Sequence, residues 1–172
     1  MIRFCDLTNK TIITPMLVPT TIKQHLKNAK YYLDAANKLP PPTQDAGHIL
    51  FLLIGWENIA IADSELSAKA QGSEVSKELY KDHAQKFKGA PEVLRVIVGK
   101  PGTHTPAQEI RYSTPEDFTK LRQICQYGLS GGSKDIQEIF DRGWHADDLR
   151  RALANKIGWV EMLITIYEEL DD

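Results

Sequence analysis

The chain has 172 residues, 42% of them hydrophobic and 26% charged, enough for a single domain with a substantial core. A net charge of -2 and a pI near 6.2 exclude the broad basic field of an electrostatic nucleic-acid binder and leave only a local basic cleft open. The longest apolar run, 49–56, is about half of the roughly 20 residues that cross a bilayer, so no membrane partner is expected.

Cys5 and Cys125 form no CxxC pair and lie far apart, and the N-terminus does not read as a signal peptide. Reduced thiols, no structural zinc and a cytoplasmic location are the expectation.

Residues 1–19 hold short β-like patches broken by Pro15 and Pro19 and read as an extended arm; 20–172 read as one all-helical domain. From Thr20 the apolar residues Ile22, Leu26, Ala29, Leu33 and Ala36 step by three and four. That is one face of a helix, with Thr20 or Thr21 able to cap it. Pro40-Pro41-Pro42 stops it, because proline cannot continue the hydrogen-bond ladder. A second, long helix is predicted from about Thr43–Asp45 to Ala70, ended by Gly72. Ser73 is predicted to open a third helix reaching about Lys88, followed by a short apolar piece at 91–98 and a glycine–proline loop at 99–113. Thr114-Pro115-Glu116-Asp117 is a helix start with a capping threonine, proline at the first position and acids in the first turn. That helix carries Phe118, Leu121 and Cys125 and is predicted to end near Gly131-Gly132. A short helix from Ser133 and a last one over Ala146–Glu169 complete an all-α bundle of five to six helices.

One residue breaks the apolar pattern. Glu57 falls on the stripe Leu50, Leu53, Ile54, Ile61 of the second helix. A carboxylate there is expensive unless a cation or hydrogen bond compensates it. Val75, Leu79, His83 and Lys86 share one face of the next predicted helix, so a histidine and a lysine could meet that carboxylate. A carboxylate beside an imidazole raises its basicity and selects its tautomer, as general acid–base chemistry requires. A structural ion pair, or Lys86 extending to water, explains the same spacing, and the spacing by itself favours that reading.

Arg122 and Tyr127 form a second pair. Five helical residues rotate by about 140°, so the two share no face and converge only through arginine's reach or a distortion near Gly128. Taken alone, Arg122 reads as a surface cation and Tyr127 as a core or rim aromatic. His48 lies off the apolar stripe and is expected in solvent, while His104 and Arg142-Gly143-Trp144-His145 have simpler explanations in loops and caps. No di-iron motif is present, since Ala60 stands where Glu-x-x-His would need histidine, so no metal is expected. Ser130-Gly131-Gly132-Ser133 lacks the lysine and spacing of a phosphate loop and there is no GxSxG elbow, so no cofactor is expected.

Over roughly residues 20–130 the chain resembles the AbiV family of abortive-infection proteins, within the HEPN superfamily of all-α prokaryotic domains. The likeness rests on the helix Lys27 to Leu39 with Ala29, Tyr32 and Ala35-Ala36, then on Leu53-Ile54-Gly55-Trp56-Glu57-Asn58-Ile59-Ala60. It continues in His83-Ala84-Gln85-Lys86 and Leu121-Arg122-Gln123-Ile124-Cys125-Gln126-Tyr127. Two departures stand out. The family's Glu-Glu-x-Gly-Lys is here Glu57-Asn58-Ile59-Ala60-Ile61, without the lysine, and Arg122 is followed by Tyr127 where catalytic HEPN ribonucleases place a histidine. A tyrosine is a poor base at neutral pH.

The resemblance implies a metal-independent, RNA-directed ribonuclease of the toxin type, or a catalytically silent relative of one, acting as a homodimer, with an antitoxin or a phage protein as a further partner. Under it Arg122 would hold the scissile phosphate, Glu57 would orient His83 for proton transfer and Lys86 would supply positive charge at the substrate. Tyr127 would stand in the place of the motif's histidine. The competing reading is a non-catalytic helical binding or regulatory module whose Glu57, His83 and Lys86 are structural.

Overall fold

The computed structural model describes residues 17–39, 46–88, 90, 115–127 and 146–169. These residues are all-helical. α1 spans Thr20–Lys38, α2 Ala46–Ala70, α3 Lys77–Lys81, α4 His83–Phe87, α5 Pro115–Tyr127 and α6 Ala146–Glu169. The expected bundle is observed. Of the N-terminal arm only 17–19 are described, without helix or strand. The proline run, the 91–98 piece, the 99–113 loop, His104, the helix after Ser133 and the 142–145 turn lie outside the described residues.

α2 is the central helix and packs against α1, α4, α5 and α6. Its buried residues include Ile49, Leu52, Leu53, Trp56, Ile59, Ala62 and Leu66, spread around most of its circumference. A helix apolar on nearly all sides belongs in the middle of a bundle. Leu50 and Ile54 of the expected stripe are only half-buried, whereas Leu53, Glu57 and Ile61 are buried. Gly55 permits close approach: a Cβ there would come 2.8 Å from Leu153 Cδ2 and 3.4 Å from Tyr32 Cβ. α6 buries the predicted Leu149, Leu153, Ile157, Val160 and Ile164, and its Lys156 Nζ reaches Asp63 Oδ2 of α2 at 2.6 Å. Salt bridges Lys23–Glu168 and Lys30–Glu161 run α1 antiparallel to α6.

Helix ends show where local chemistry prevails. α1 is entered through Pro19, whose carbonyl accepts from Ile22 N and Lys23 N; no side chain caps it, contrary to the role expected of Thr20 or Thr21. α2 stops as expected at Gly72, which takes φ 65°, with Gly72 N donating to Lys69 O and Ser73 N to Ala68 O. The single helix expected over 73–88 is instead two five-residue helices. Ser76 caps the first by accepting from Glu78 N, and Asp82, extended at φ -99° and ψ 115°, caps the second by accepting from Ala84 N. A side-chain oxygen that takes a backbone N–H offers the chain an alternative to continued helix.

Candidate functional site

The break at Asp82 sets the site. It restarts the helix at His83, so that His83 and Lys86 both reach α2 even though Val75 and Leu79 do not continue their helix. Behind them Phe87 stacks on Phe118 of α5, ring centroids 5.4 Å apart. This contact, with buried Leu121 and Ile124, holds α5 against α4 and α2 and brings Arg122 inward. Phe118 and Arg122 are four residues apart and so lie on one face.

Glu57 is 6% exposed and receives three basic side chains. His83 Nδ1 lies 2.8 Å from Oε1, the hydrogen bond in which Nδ1–H donates to the carboxylate. Lys86 Nζ, itself buried, lies 3.7 Å from Oε2. Arg122 Nε lies 2.6 Å from Oε1, but its N–H is not aimed at that oxygen, so the contact is one of charge. Arg122 Nη1 donates to Gln126 Oε1 at 2.6 Å. Removing a carboxylate from water costs several kcal/mol, and one cation seldom offsets it. Here one carboxylate meets two permanent cations and an imidazole, which leaves the cluster positive even with His83 neutral.

The side chain of His83 is 34% exposed, against 7% for Lys86 and 16% for Arg122. The imidazole is therefore the member solvent can reach, and with Nδ1 turned to Glu57 its Nε2 is the ring nitrogen that does not face the carboxylate. Arg122 is not the surface cation that its spacing alone suggests; Tyr127 is 70% exposed and stays off the cluster, as the 140° rotation requires.

His48 corrects a second expectation. It is 2% exposed, not solvated, with Nδ1 3.0 Å from Ala36 O, because α2 is covered on the side where a one-stripe helix would meet water. A polar pairing that the apolar pattern did not show links α1 to α2: His25 Nδ1 and Asn28 Nδ2 approach Asn58 Oδ1 at 3.2 and 3.3 Å, and Asn58 Nδ2 donates to Ile54 O. Its signal was Asn58, polar beside Glu57 in the otherwise apolar stretch 49–62. Gln126 was signalled by its i,i+4 spacing from Arg122.

Two open clefts of about 380 and 370 Å³ lie at the C-terminal end of α2 beside α3, and neither includes a residue of the Glu57 cluster. Next to one of them Tyr80 donates to Glu65 at 2.5 Å. That bond, with burial, pushes the Tyr80 hydroxyl up to about 12. Among the described residues no three of His, Cys, Asp and Glu gather as metal ligands, and no helix is long and apolar enough to cross a membrane. Comparison with protein-family models, with curated proteins and with solved structures finds no match to this chain.

Proposed function

We propose that the chain is an RNA-directed protein of the abortive-infection type, a metal-independent ribonuclease acting as a homodimer in the cytoplasm, with His83 as its proton-transfer group. The observation that carries this reading is the convergence of His83, Lys86 and Arg122, from two helices, on the single buried carboxylate of Glu57. Glu57 fixes the imidazole tautomer through the hydrogen bond at Nδ1. His83 Nε2 takes the proton of a ribose 2′-hydroxyl, the 2′-oxygen bonds to the adjacent phosphorus, and the bond to the 5′-oxygen breaks, that oxygen taking a proton from water. Arg122 and Lys86 supply the positive field that favours a phosphate and its developing charge. Antitoxins and phage proteins are the partner classes that fit this role.

The test is cleavage of RNA by the purified protein with a chelator present, read by a 2′,3′-cyclic phosphate end. His83→Ala and Arg122→Ala should each lower the rate at least about a hundredfold, and Tyr127→Phe should leave it unchanged. Equal activity in all of these, or none in any, removes the reading.

One observation favours a second reading, the non-catalytic helical module. Arg122 Nε and Lys86 Nζ lie 2.6 and 3.7 Å from the Glu57 carboxylate oxygens, as in a compensated structural ion cluster. It expects variants of the cluster to lose stability and no RNA to be cut.

A further inference from the structure

Among the described residues nothing covers the outward face of α6. Trp159 is 51% and Met162 45% exposed, and no described residue lies within 4 Å of the position a Cβ on Gly158 would take. At about 100° per residue, Arg151, Gly158, Met162 and Glu169 fall within about 20° of one line along the helix. Val160, fully buried, lies on the opposite side. Gly158 and Met162 sit two residues either side of Val160, and Arg151 and Glu169 nine either side. A second α6 laid antiparallel across this line, with its two-fold axis at the level of Val160, meets its complement throughout. Each Met162 enters the open space at the other copy's Gly158, and each Arg151 faces a Glu169 about 13.5 Å along the helix from the axis.

We infer that the Arg151–Glu169 face of α6 is the surface through which two copies of this chain associate. Charge complementarity selects a second copy: the face carries its cation and its anion at equal distances from its centre, as an isologous contact requires. Arg151 Nη2 now rests 2.6 Å from Asp148 Oδ1, an exposed pair worth less than about 1 kcal/mol, so exchange of partners is cheap. The pairing leaves the candidate site to each chain alone. Gly55 faces Leu153 of α6, and Glu57, two residues on, is turned by about 200°, toward α4 and α5. The inference supplies the contact surface for the two-copy part of the proposed function and does not depend on RNA cleavage.

Sedimentation velocity on the full chain tests it. The wild type should sediment as a dimer at micromolar concentration. Arg151→Glu and Glu169→Arg should each raise the dimer dissociation constant about tenfold or more, since each reversal acts twice in a symmetric contact. The double variant should return near the wild-type value, and Gly158→Leu, which fills the receiving space, should weaken the dimer as well. A monomeric wild type, a dimer indifferent to the substitutions, or a double variant weaker than both singles overturns the inference. Helical circular dichroism unchanged in every variant shows that folding is not what is being read. A charge-rescued dimer that cuts no RNA keeps this inference while removing the enzymatic reading, and an active monomer does the reverse.

Discussion

Arg122 approaches Glu57 to 2.6 Å without pointing its Nε–H at the carboxylate, while His83 makes the aligned hydrogen bond to the same oxygen. Two basic groups thus share one acceptor and only one is held by a directed bond. Arg122 is placed by α5 packing and its Gln126 bond, not by a directed bond to the carboxylate.

Neutralising the carboxylate exposes the unmatched cations. Glu57→Gln should lower unfolding stability by about 3 kcal/mol, since a buried ion pair loses one partner. Lys86→Met added to it should recover part of the loss, giving a coupling of about 1–2 kcal/mol in a double-mutant cycle by urea denaturation. Additive effects would show that Lys86 and Glu57 do not interact in solution.

Asp82 should matter out of proportion to its exposure. Its carboxylate accepts from Ala84 N and restarts the helix that presents His83. Asp82→Ala should cost about 1 kcal/mol as a lost cap. By loosening His83 it should also move the imidazole's NMR chemical shifts toward those of Glu57→Gln. An imidazole unaffected by this change would mean that α4 is held by Phe87 alone.

Gly55→Ala sets helix propensity against packing. Alanine favours the helix by up to about 1 kcal/mol. Its Cβ, however, would lie 2.8 Å from Leu153 Cδ2, where Leu153 is fully buried and has little room to turn. Overpacking costs about 1–3 kcal/mol, so a net loss of stability near 1 kcal/mol is expected, read as a lower thermal midpoint. A gain would mean that α6 can shift away from α2.

Alkaline stability should carry a Tyr80 signature. Its hydroxyl, raised to about 12 by Glu65, stays protonated in the folded chain at pH values where the unfolded chain has ionised it above about 10. The unfolded state then binds fewer protons, so this contribution is whole below about pH 10 and is lost as pH rises toward 12. Tyr80→Phe should remove that slope from the difference between the two stability curves, with only a small change near neutrality because Tyr80 is 44% exposed. An unchanged slope would place the Glu65 bond outside the folded ensemble in solution.

Much of the architecture is a property of single segments and was legible in their patterns. The stripe of α6 from Leu149 to Ile164, the stop at Gly72 and the start of α5 at Pro115 follow from helical period, φ preference and proline's fitness for a first helical position, all local. Burial of Glu57 was legible for the same reason, as an acid inside a long apolar run. Which groups answer it was only half legible. His83 and Lys86 show by spacing, although Asp82 divides the helix on which that spacing was counted. Arg122 could not be read from α5 alone, because its place depends on Phe118 meeting Phe87 across two helices. His48 escaped likewise, since a helix enclosed on nearly every side has no polar face for period to reveal. The chain's order thus determined the helices and an acid in need of partners. Tertiary packing decided which cations reach it and left Tyr127 in solvent, because separations between side chains on different helices are set by how their faces interlock, which no one-dimensional period encodes.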